Sequence, residues 1–477
     1  MKNLQFSKNF LWGAATSGPQ TEGRFKKKHA NIFDYDFEKF PEHFWNGIGP
    51  DTASNFYNDF REDIRLMKEA GLNSVRTSIQ WSRLIDDLEE VTLNVDAVRF
   101  YNAVIDEFLA NGIRPMINLH HFDLPVELLH KYGGWTNKKV VELYVKYAEK
   151  CFECFSDRVT DWFTHNEPMV VVDGGYLYQF HYPDIVDGKL AVQVAYNLQL
   201  ASSLAIQKFR EVNRNPEGEI GIVLNLCPNY PASSEAEDVA AAHFADLWQN
   251  QLFMDASVKG KFPRELVEIL TKDGVIWEST AEELQIIKEN TVDNFGVNFY
   301  HPNRAQRPHY SSDSLAVDWL PNKYFDDYSL SGARMNVDKG WEIYPQTLYE
   351  IAKNIQENYG NIPWYVSECG MGVSREERYL GADGEIKDDF RIQFITEHLY
   401  WLHKAIAEGA NCFGFHLWTP IDCFSWRNSY RNRYGLISLN VHTQEKCLKK
   451  SAYFFKKLAD SSQLEVSEEI FRKFQCK

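Results

Sequence analysis

The sequence lacks the features that would place it in a membrane or on a nucleic acid. No apolar run approaches the roughly 20 residues needed to cross a bilayer, and the apolar stretch near the amino terminus is too short for a secretory signal. The formal net charge is −16 at pH 7, whereas a nucleic-acid-binding surface needs a basic stripe. We therefore expect a cytoplasmic protein with neither membrane nor nucleic acid among its partners.

The cysteines lack a pattern that indicates disulfides or redox chemistry. The chain has 477 residues and eight cysteines, and a chain of this length can build a core without disulfides. Cys151 and Cys154 form a CxxC pair, but they fall inside the helical run VVELYVKYAEKCFECF. Redox pairs belong at strand-to-helix turns. We predict that both are small packing residues on one helix.

The chain also lacks a Pro/Gly/Ser-rich linker, so we expect one domain covering residues 1–477. What it has instead is a regular alternation of strand-like runs and amphipathic helices, which is typical of a parallel α/β architecture. Eight such units are what a closed (β/α)₈ TIM barrel requires. The eight predicted strands are Phe10–Ser17, Ser74–Ile79, Arg114–His121, Asp161–Pro168, Ile220–Leu226, Phe295–Tyr300, Trp364–Gly370 and Cys412–Trp418.

Helix ends and long loops fit this barrel. Gly71 and Gly112 follow predicted helices at 57–70 and 96–111, where a C′ glycine belongs, and Asp96 is the predicted N-cap of the second. Long irregular segments follow the first, sixth and eighth strands, whereas segments before strands are short. The extra length therefore lies at the C-terminal face of the barrel, where barrel active sites lie. These long segments are Thr21–Asn55, His301–Tyr344 and Thr419–Asn432.

Two of the predicted strands end in a glutamate. Glu368 follows the apolar run Trp364–Val366 and Ser367. Glu167 ends the other strand, which Pro168 stops, because a residue before proline is kept out of the α region. We expect Pro168 to present the carboxylate at a fixed point instead of carrying it into a helix. A buried carboxylate is either paired or used in chemistry. Two carboxyls about 5 to 5.5 Å apart are the pair of a retaining glycosidase.

Most of the other strand ends carry side chains suited to holding a sugar. Neutral donors and acceptors suit hydroxyl groups, and a flat indole suits the apolar face of a pyranose. The strand-end residues are Gln20, Arg76, His121, Glu167, Tyr300, Glu368 and Trp418. Neither GxGxxG nor GxxxxGK[ST] occurs, so no nucleotide loop competes. We expect no cofactor.

The adjacent histidines His120 and His121 resemble a metal site only superficially. Neighbouring side chains on a strand point to opposite faces, so these two cannot both face one ion. We expect no metal, with one histidine directed towards a sugar and the other packed.

Seven motifs along nearly the whole chain resemble glycoside hydrolase family one, which includes β-glucosidases and 6-phospho-β-glycosidases. The motifs are FLWGAATSGPQTEG, VRTSIQWSR, LHHFDLP, THNEP, NFY, YVSECG and LWTPIDCFSWRNSYRNRYGL. Together they are specific, although each alone is weak. The resemblance implies a (β/α)₈ barrel in which Glu167 is the general acid/base and Glu368 the nucleophile. Cys369 departs from the asparagine usual in the family, and we expect a packing difference there.

The resemblance also implies roles for the surrounding residues. Arg76 and Tyr300 would hold the nucleophile and favour its ionised form, and the charge on Glu368 would then raise the pKa of Glu167. The implied sugar contacts are Gln20, His121, Asn166, Trp418 and Trp426.

The segment after the eighth strand bears on whether the sugar is phosphorylated. In the unphosphorylated branches a glutamate stands at the position of Ser425, where it would repel a 6-phosphate dianion. The phospho-branches carry Ser, Lys and Tyr at three positions in this segment. The corresponding residues here are Ser425, Asn432 and Tyr434, so the lysine is missing. Arg427 and Arg431 are candidates to replace that cation.

We favour a retaining 6-phospho-β-glucosidase whose substrate is a phosphorylated β-glycoside. Trp426 resembles the 6-phospho-β-galactosidase branch, which stays open, as does an ordinary β-glucosidase or β-galactosidase. A different class, a sugar-phosphate sensor on a catalytically dead barrel, is disfavoured because both carboxylates are present. The sequence leaves the aglycone and the presence of a homo-oligomer open.

Overall fold

A closed barrel of eight parallel strands forms the centre of the computed structural model, which describes residues 2–309 and 319–467. The strands are β1 Leu11–Ala15, β2 Ser74–Ser78, β3 Arg114–His120, β4 Asp161–Asn166, β5 Glu219–Asn225, β6 Asn294–Asn298, β7 Trp364–Glu368 and β8 Cys412–Trp418. Each pairs in parallel with its neighbours in the chain, and β8 pairs with β1 to close the ring. All eight predicted strands and the fold class are confirmed.

Helices cover the outside of the barrel, and this is why the strands read as apolar runs buried on both faces. One long helix follows each strand: α1 Phe56–Glu69, α2 Val95–Ala110, α3 Lys138–Phe155, α4 Gly188–Val212, α5 Leu252–Lys259, α6 Gln346–Asn358, α7 Asp389–Ala407 and α8 Lys450–Ser461. Further helices are Gly18–Thr21, Ile32–Lys39, Trp81–Leu84, Val126–Tyr132, Pro168–Tyr176, Ala236–Asp246, Arg264–Lys272 and Ala281–Glu289. No helix among the described residues is both long and apolar enough to span a bilayer.

The helix signals in the sequence were mostly accurate. Gly71 and Gly112 follow α1 and α2 with φ of +87° and +65°, the left-handed conformation that glycine adopts without strain. The predicted N-cap Asp96 was wrong: the Asn94 side chain accepts from the Ala97 N–H at 3.0 Å, so Asp96 lies within the first turn of α2. The CxxC pair lies on α3 as predicted, with both thiols free.

Side chains fill the barrel interior. Met116, Phe163, Val223 and Tyr365 pack against one another inside the ring. Gly13 leaves room for His416, whose ring a Cβ at that position would meet at 2.4 Å. A ligand therefore has to bind at the mouth of the barrel, which agrees with the general rule for this fold.

Short strand pairs tie together the long loops at the C-terminal face. The pair Met335–Asn336 and Trp341–Glu342 forms a hairpin between β6 and α6. Val373–Ser374, after β7, pairs with Asn432–Arg433, after β8. These connections hold the loops after β6, β7 and β8 next to one another above the barrel.

Candidate active site

Glu167 and Glu368 line one cavity of about 610 Å³ at the mouth of the barrel. Glu368 is the last residue of β7, and Glu167 immediately follows β4. Most of the other predicted residues line this cavity too: Gln20, His121, Tyr300, Trp418, Ser425, Trp426, Arg427 and Tyr434. The carboxyl ends of β1, β3, β4, β6, β7 and β8 thus bring together residues that lie far apart in the chain.

The backbone at Glu167 differs from the sequence-based expectation. Its φ of 46° and ψ of 61° are left-handed, and the helix Pro168–Tyr176 begins at the next residue. Pro168 does keep Glu167 out of the right-handed α region, but it starts a helix instead of preventing one, because proline suits a first helical position. The Glu167 N–H donates to the Val223 carbonyl at 2.8 Å, which fixes this turn.

Glu368 is held by two donors, one on β2 and one just after β6. The Arg76 guanidinium forms an ion pair with its Oε1, and the Tyr300 hydroxyl donates to its Oε2 at 2.5 Å. Burial raises the pKa of Glu368, while Arg76 and Tyr300 lower it. Arg76 and Tyr300 thus favour the ionised carboxylate, as predicted. Burial favours the protonated form, and the sequence did not show how strongly Glu368 would be desolvated.

Arg76 also organises the sugar-facing residues. Its Nη1 donates to Asn166 Oδ1 at 3.1 Å and to Asn118 Oδ1 at 3.2 Å, and it lies 3.4 Å from His121 Nδ1. Asn166 in turn contacts His121 Nε2 at 3.2 Å. Burial and the Arg76 charge hold the pKa of His121 well below its usual range, so this imidazole is neutral near pH 7.

Glu167 has fewer contacts that favour its ionised form. Asn298 Nδ2 donates to its Oε1 at 2.8 Å. Burial, followed by the nearby charge of Glu368, raises the pKa of Glu167 to about 8. The expected rise is present, but burial contributes more to it than Glu368 does. A carboxyl group with this pKa is protonated near neutral pH and suits a general acid.

Asn298 is a further residue of the site that was not among the predicted ones. It ends β6, two residues before Tyr300, and its Nδ2 donates to Glu167 Oε1 at 2.8 Å and to Asn166 Oδ1 at 3.1 Å. One amide therefore links Glu167 to Asn166. The signal was available, since Asn298 is the first residue of the NFY motif and stands at a strand end.

Aromatic rings form part of the wall of the cavity. Trp418 lies nearly parallel to the His121 ring, with centroids 6.0 Å apart. Trp426 stacks on Phe33 at 4.1 Å. Gln20 is fixed beside them, because its Nε2 donates to the Phe424 carbonyl at 2.7 Å. His120 packs away from the cavity against Trp135, so the two adjacent histidines separate as predicted.

The prediction that Arg427 binds a phosphate is not supported by its surroundings. Its Nε donates to Asp36 Oδ2 at 2.8 Å, and its Nη1 and Nη2 donate to the two Asp184 oxygens at 2.7 and 2.6 Å. Arg427 lines the cavity, but two carboxylates already balance its charge. The sequence could not show this, because both partners come from other loops.

Unlike Arg427, the other two candidates, Asn432 and Arg431, do not line the cavity. Asn432 is buried in the short strand after β8, where its Oδ1 accepts from Asn428 at 2.8 Å and its Nδ2 donates to the Asp338 carbonyl at 3.5 Å. Arg431 is exposed. Of the five residues predicted to bind phosphate, Ser425, Tyr434 and the already paired Arg427 reach the cavity.

The loop between β6 and α6 contributes three lining residues that were not predicted. They are His301, Lys339 and Trp341. His301 stacks on Trp341 with centroids 4.8 Å apart, and the Lys339 ammonium lies 4.6 Å from the centre of the Trp341 ring. Residues 310–318 of this loop lie outside the described part of the chain.

Comparisons with known proteins agree with this geometry. The family model for glycosyl hydrolase family 1 matches residues 2–464. The chain is 50% identical over 464 residues to the 6-phospho-beta-glucosidase GmuD of Bacillus subtilis, covering 97% of this chain and 99% of that protein. It is 34% identical over 478 residues to a 6-phospho-beta-galactosidase of Clostridium acetobutylicum, covering 96% and 98%. A family 1 β-glucosidase structure from Thermotoga maritima matches with a TM-score of 0.87 at 30% identity, covering 97% of this chain and all of that one.

Proposed function

This chain belongs to glycosyl hydrolase family 1, and we propose that within that family it hydrolyses 6-phospho-β-glucosides with retention of configuration. One observation carries the proposal. Among the described residues that line the cavity, Glu167 and Glu368 are the only carboxylates, and the loop after β8 contributes Ser425 instead of a third. A cavity that combines this carboxyl pair with hydroxyl and cationic side chains suits a glycoside that bears a dianion.

In the proposed first step, the Glu368 carboxylate attacks the anomeric carbon and Glu167 protonates the departing oxygen. The bond from the sugar to the aglycone breaks as the ester to Glu368 forms, and the proton leaves with the aglycone. Arg76 and Tyr300 favour the ionised form of the attacking carboxylate against the effect of burial. Burial keeps the pKa of Glu167 near 8, so the acid is available at neutral pH.

In the second step, the roles of Glu167 change. Esterified Glu368 no longer carries a negative charge, so that part of the rise in the pKa of Glu167 disappears. The Glu167 carboxylate then takes a proton from water as the water attacks the anomeric carbon, and the ester bond breaks. Asn298, which donates to Glu167, positions that carboxyl group for each step.

We assign the sugar contacts to Gln20, His121, Asn166, Trp418 and Trp426. Trp418 and Trp426 provide flat apolar surfaces for the ring, and the amides and the neutral imidazole suit hydroxyl groups. For the phosphate we retain Ser425 and Tyr434, which line the cavity. The B. subtilis relative is named a 6-phospho-beta-glucosidase, which supports the glucoside.

A 6-phospho-β-galactosidase is the second candidate. Trp426 favours it, because a tryptophan beside Ser425 resembles that branch, and the C. acetobutylicum relative bears that name. The higher identity to GmuD supports glucose. We also propose a cytoplasmic location, because a phosphorylated glycoside carries a charge that hinders its passage across a membrane.

The test is kcat/KM for four 4-nitrophenyl glycosides, the β-glucoside and β-galactoside with and without the 6-phosphate. We expect the 6-phosphoglucoside to exceed the plain glucoside by about 100-fold or more, because each charge-assisted hydrogen bond contributes roughly 1.5–3 kcal/mol. A plain glycoside that reacts as well as its 6-phosphate would overturn the proposal. A higher value for the 6-phosphogalactoside would select the second candidate.

A further inference from the structure

Lys339 places a cation in the cavity where the phosphate is proposed to bind. It stands in the turn of the hairpin formed by Met335–Asn336 and Trp341–Glu342, and its side chain lines the same cavity as Ser425 and Tyr434. Its ammonium group lies over the Trp341 ring at 4.6 Å. It lies 93 positions before Asn432, where a lysine was expected, so the motif after β8 does not indicate it.

Across residues 2–309 and 319–467, no carboxylate lies within 4.0 Å of the Lys339 Nζ, and no side-chain or backbone oxygen accepts a hydrogen bond from it. Other described lysines, such as Lys404, also lack an ion pair, but Lys339 is the lysine that lines the cavity. It contrasts with Arg427, which also lines the cavity and which two carboxylates neutralise. Burial lowers the pKa of Lys339, and the nearby charge of Arg431 lowers it further. A bound anion would relieve both effects.

Asn432 connects the expected position of the cation to the observed one. Its Nδ2 donates to the carbonyl of Asp338, the residue before Lys339, at 3.5 Å. The Asp338 carboxylate accepts from the Ser374 hydroxyl at 2.6 Å and from Arg378 at 3.1 Å. These contacts hold the turn that carries Lys339 against the loops after β7 and β8, where Ser425 also lies.

We propose that Lys339 is a specificity-determining residue that donates to the 6-phosphate of the substrate together with Ser425 and Tyr434. It supplies the cation that Asn432 cannot, from a different loop and through a point charge that suits a phosphate oxygen. This inference rests on the proposed function, because it requires a phosphorylated substrate in this cavity.

The test compares Lys339→Met and Lys339→Arg with the wild type on the 4-nitrophenyl 6-phospho-β-glucoside and on the plain β-glucoside. For Lys339→Met, we expect the ratio of the two kcat/KM values to fall about 10- to 100-fold, mainly through a higher KM for the phosphorylated substrate. Lys339→Arg should restore most of the ratio, since it keeps the charge. D-glucose 6-phosphate should inhibit Lys339→Met more weakly than the wild type by a similar factor.

Lys404→Met is the matched control. The Lys404 ammonium lies 4.5 Å from the Tyr349 ring, on α7 outside the cavity, so its loss removes a similar ring contact without touching the site. We expect its selectivity ratio to equal that of the wild type, and thermal melting of every variant checks that it folds.

Two failures can be told apart. If the wild type prefers the phosphorylated glucoside and Lys339→Met keeps that preference, or loses activity on both substrates equally, the role of Lys339 is wrong and the proposed function stands. If the wild type itself shows no preference for the phosphorylated substrate, the proposed function and the role of Lys339 are both wrong.

Discussion

Two parts of the site are built differently. At the floor, Arg76 lies within β2, and Glu368 and Glu167 stand at the carboxyl ends of β7 and β4. Arg76 and Glu368 are buried and paired with each other, and the half-buried Glu167 accepts from Asn298 of β6. At the rim, Lys339 and Ser425 stand on loops whose positions depend on contacts between the loops themselves. The barrel strands thus position the floor, whereas contacts between loops position the rim.

This difference explains what the sequence could predict. Glu167 and Glu368 were predicted to share one site because parallel strands bring their carboxyl ends to one face, whatever the separation in the chain. The ion pairs of Arg427 could not be predicted, because its partners, Asp36 and Asp184, lie 391 and 243 positions away. Lys339 was not among the predicted residues because the loop after β6 has no periodic pattern. A residue in a loop has no regular register, so its position in the sequence does not indicate which residues it will contact.

The direction of the shift in the pKa of Glu167 was predicted correctly, but its main cause was not. The proximity of Glu368 was expected to raise the pKa of Glu167, and it does, but burial raises it more. Burial also raises the pKa of Glu368, against the effect of Arg76. Desolvation depends on how the whole cavity is covered, and a motif does not report that.

The largest expected effect is at the floor. Glu167→Gln should lower kcat/KM for substrates with poor leaving groups by about 10²- to 10⁴-fold, the usual contribution of a general acid. A dinitrophenyl 6-phosphoglucoside, whose leaving group needs little protonation, should be affected much less in its first step. Steady-state rates over a series of leaving groups measure the difference.

The pH dependence of the same variant sharpens this test. Because the pKa of Glu167 is raised to about 8, its acidic form persists at neutral pH and disappears as the pH rises through that value. Wild-type kcat/KM should therefore fall above about pH 8, and the fall should be absent in Glu167→Gln. Glu217→Gln, an exposed glutamate, should keep the wild-type profile. A variant of Glu167 with an unchanged alkaline limb would assign the acid to another residue.

The Lys339 variants, at the rim, should have the next largest effect on activity, with the change in selectivity given above.

The smallest catalytic effect is expected at Arg427. Arg427→Gln leaves Asp36 and Asp184 without their cation, so we expect it to lower the free energy of unfolding by roughly 1.5–3 kcal/mol. The ratio of kcat/KM between phosphorylated and plain glucosides should change less than about threefold.

Chemical denaturation and the two-substrate assay measure these two quantities. Arg214→Gln is the control, because that exposed arginine has no ion pair among the described residues. If Arg427→Gln abolished the preference for the phosphorylated substrate while leaving stability unchanged, Arg427 would be the phosphate ligand after all, and the division between floor and rim would have to be redrawn.

The central claim is that Glu368 forms a covalent ester with the sugar while Glu167 serves as acid and base. Incubation with a 2-deoxy-2-fluoro-β-glucoside 6-phosphate that has a good leaving group, followed by peptide mass spectrometry, tests it most directly. The fluorine slows breakdown of the ester, so we predict one adduct per chain, carried by the peptide that contains Glu368. An adduct on Glu167, or turnover to the inverted sugar with no adduct on either glutamate, would contradict the account.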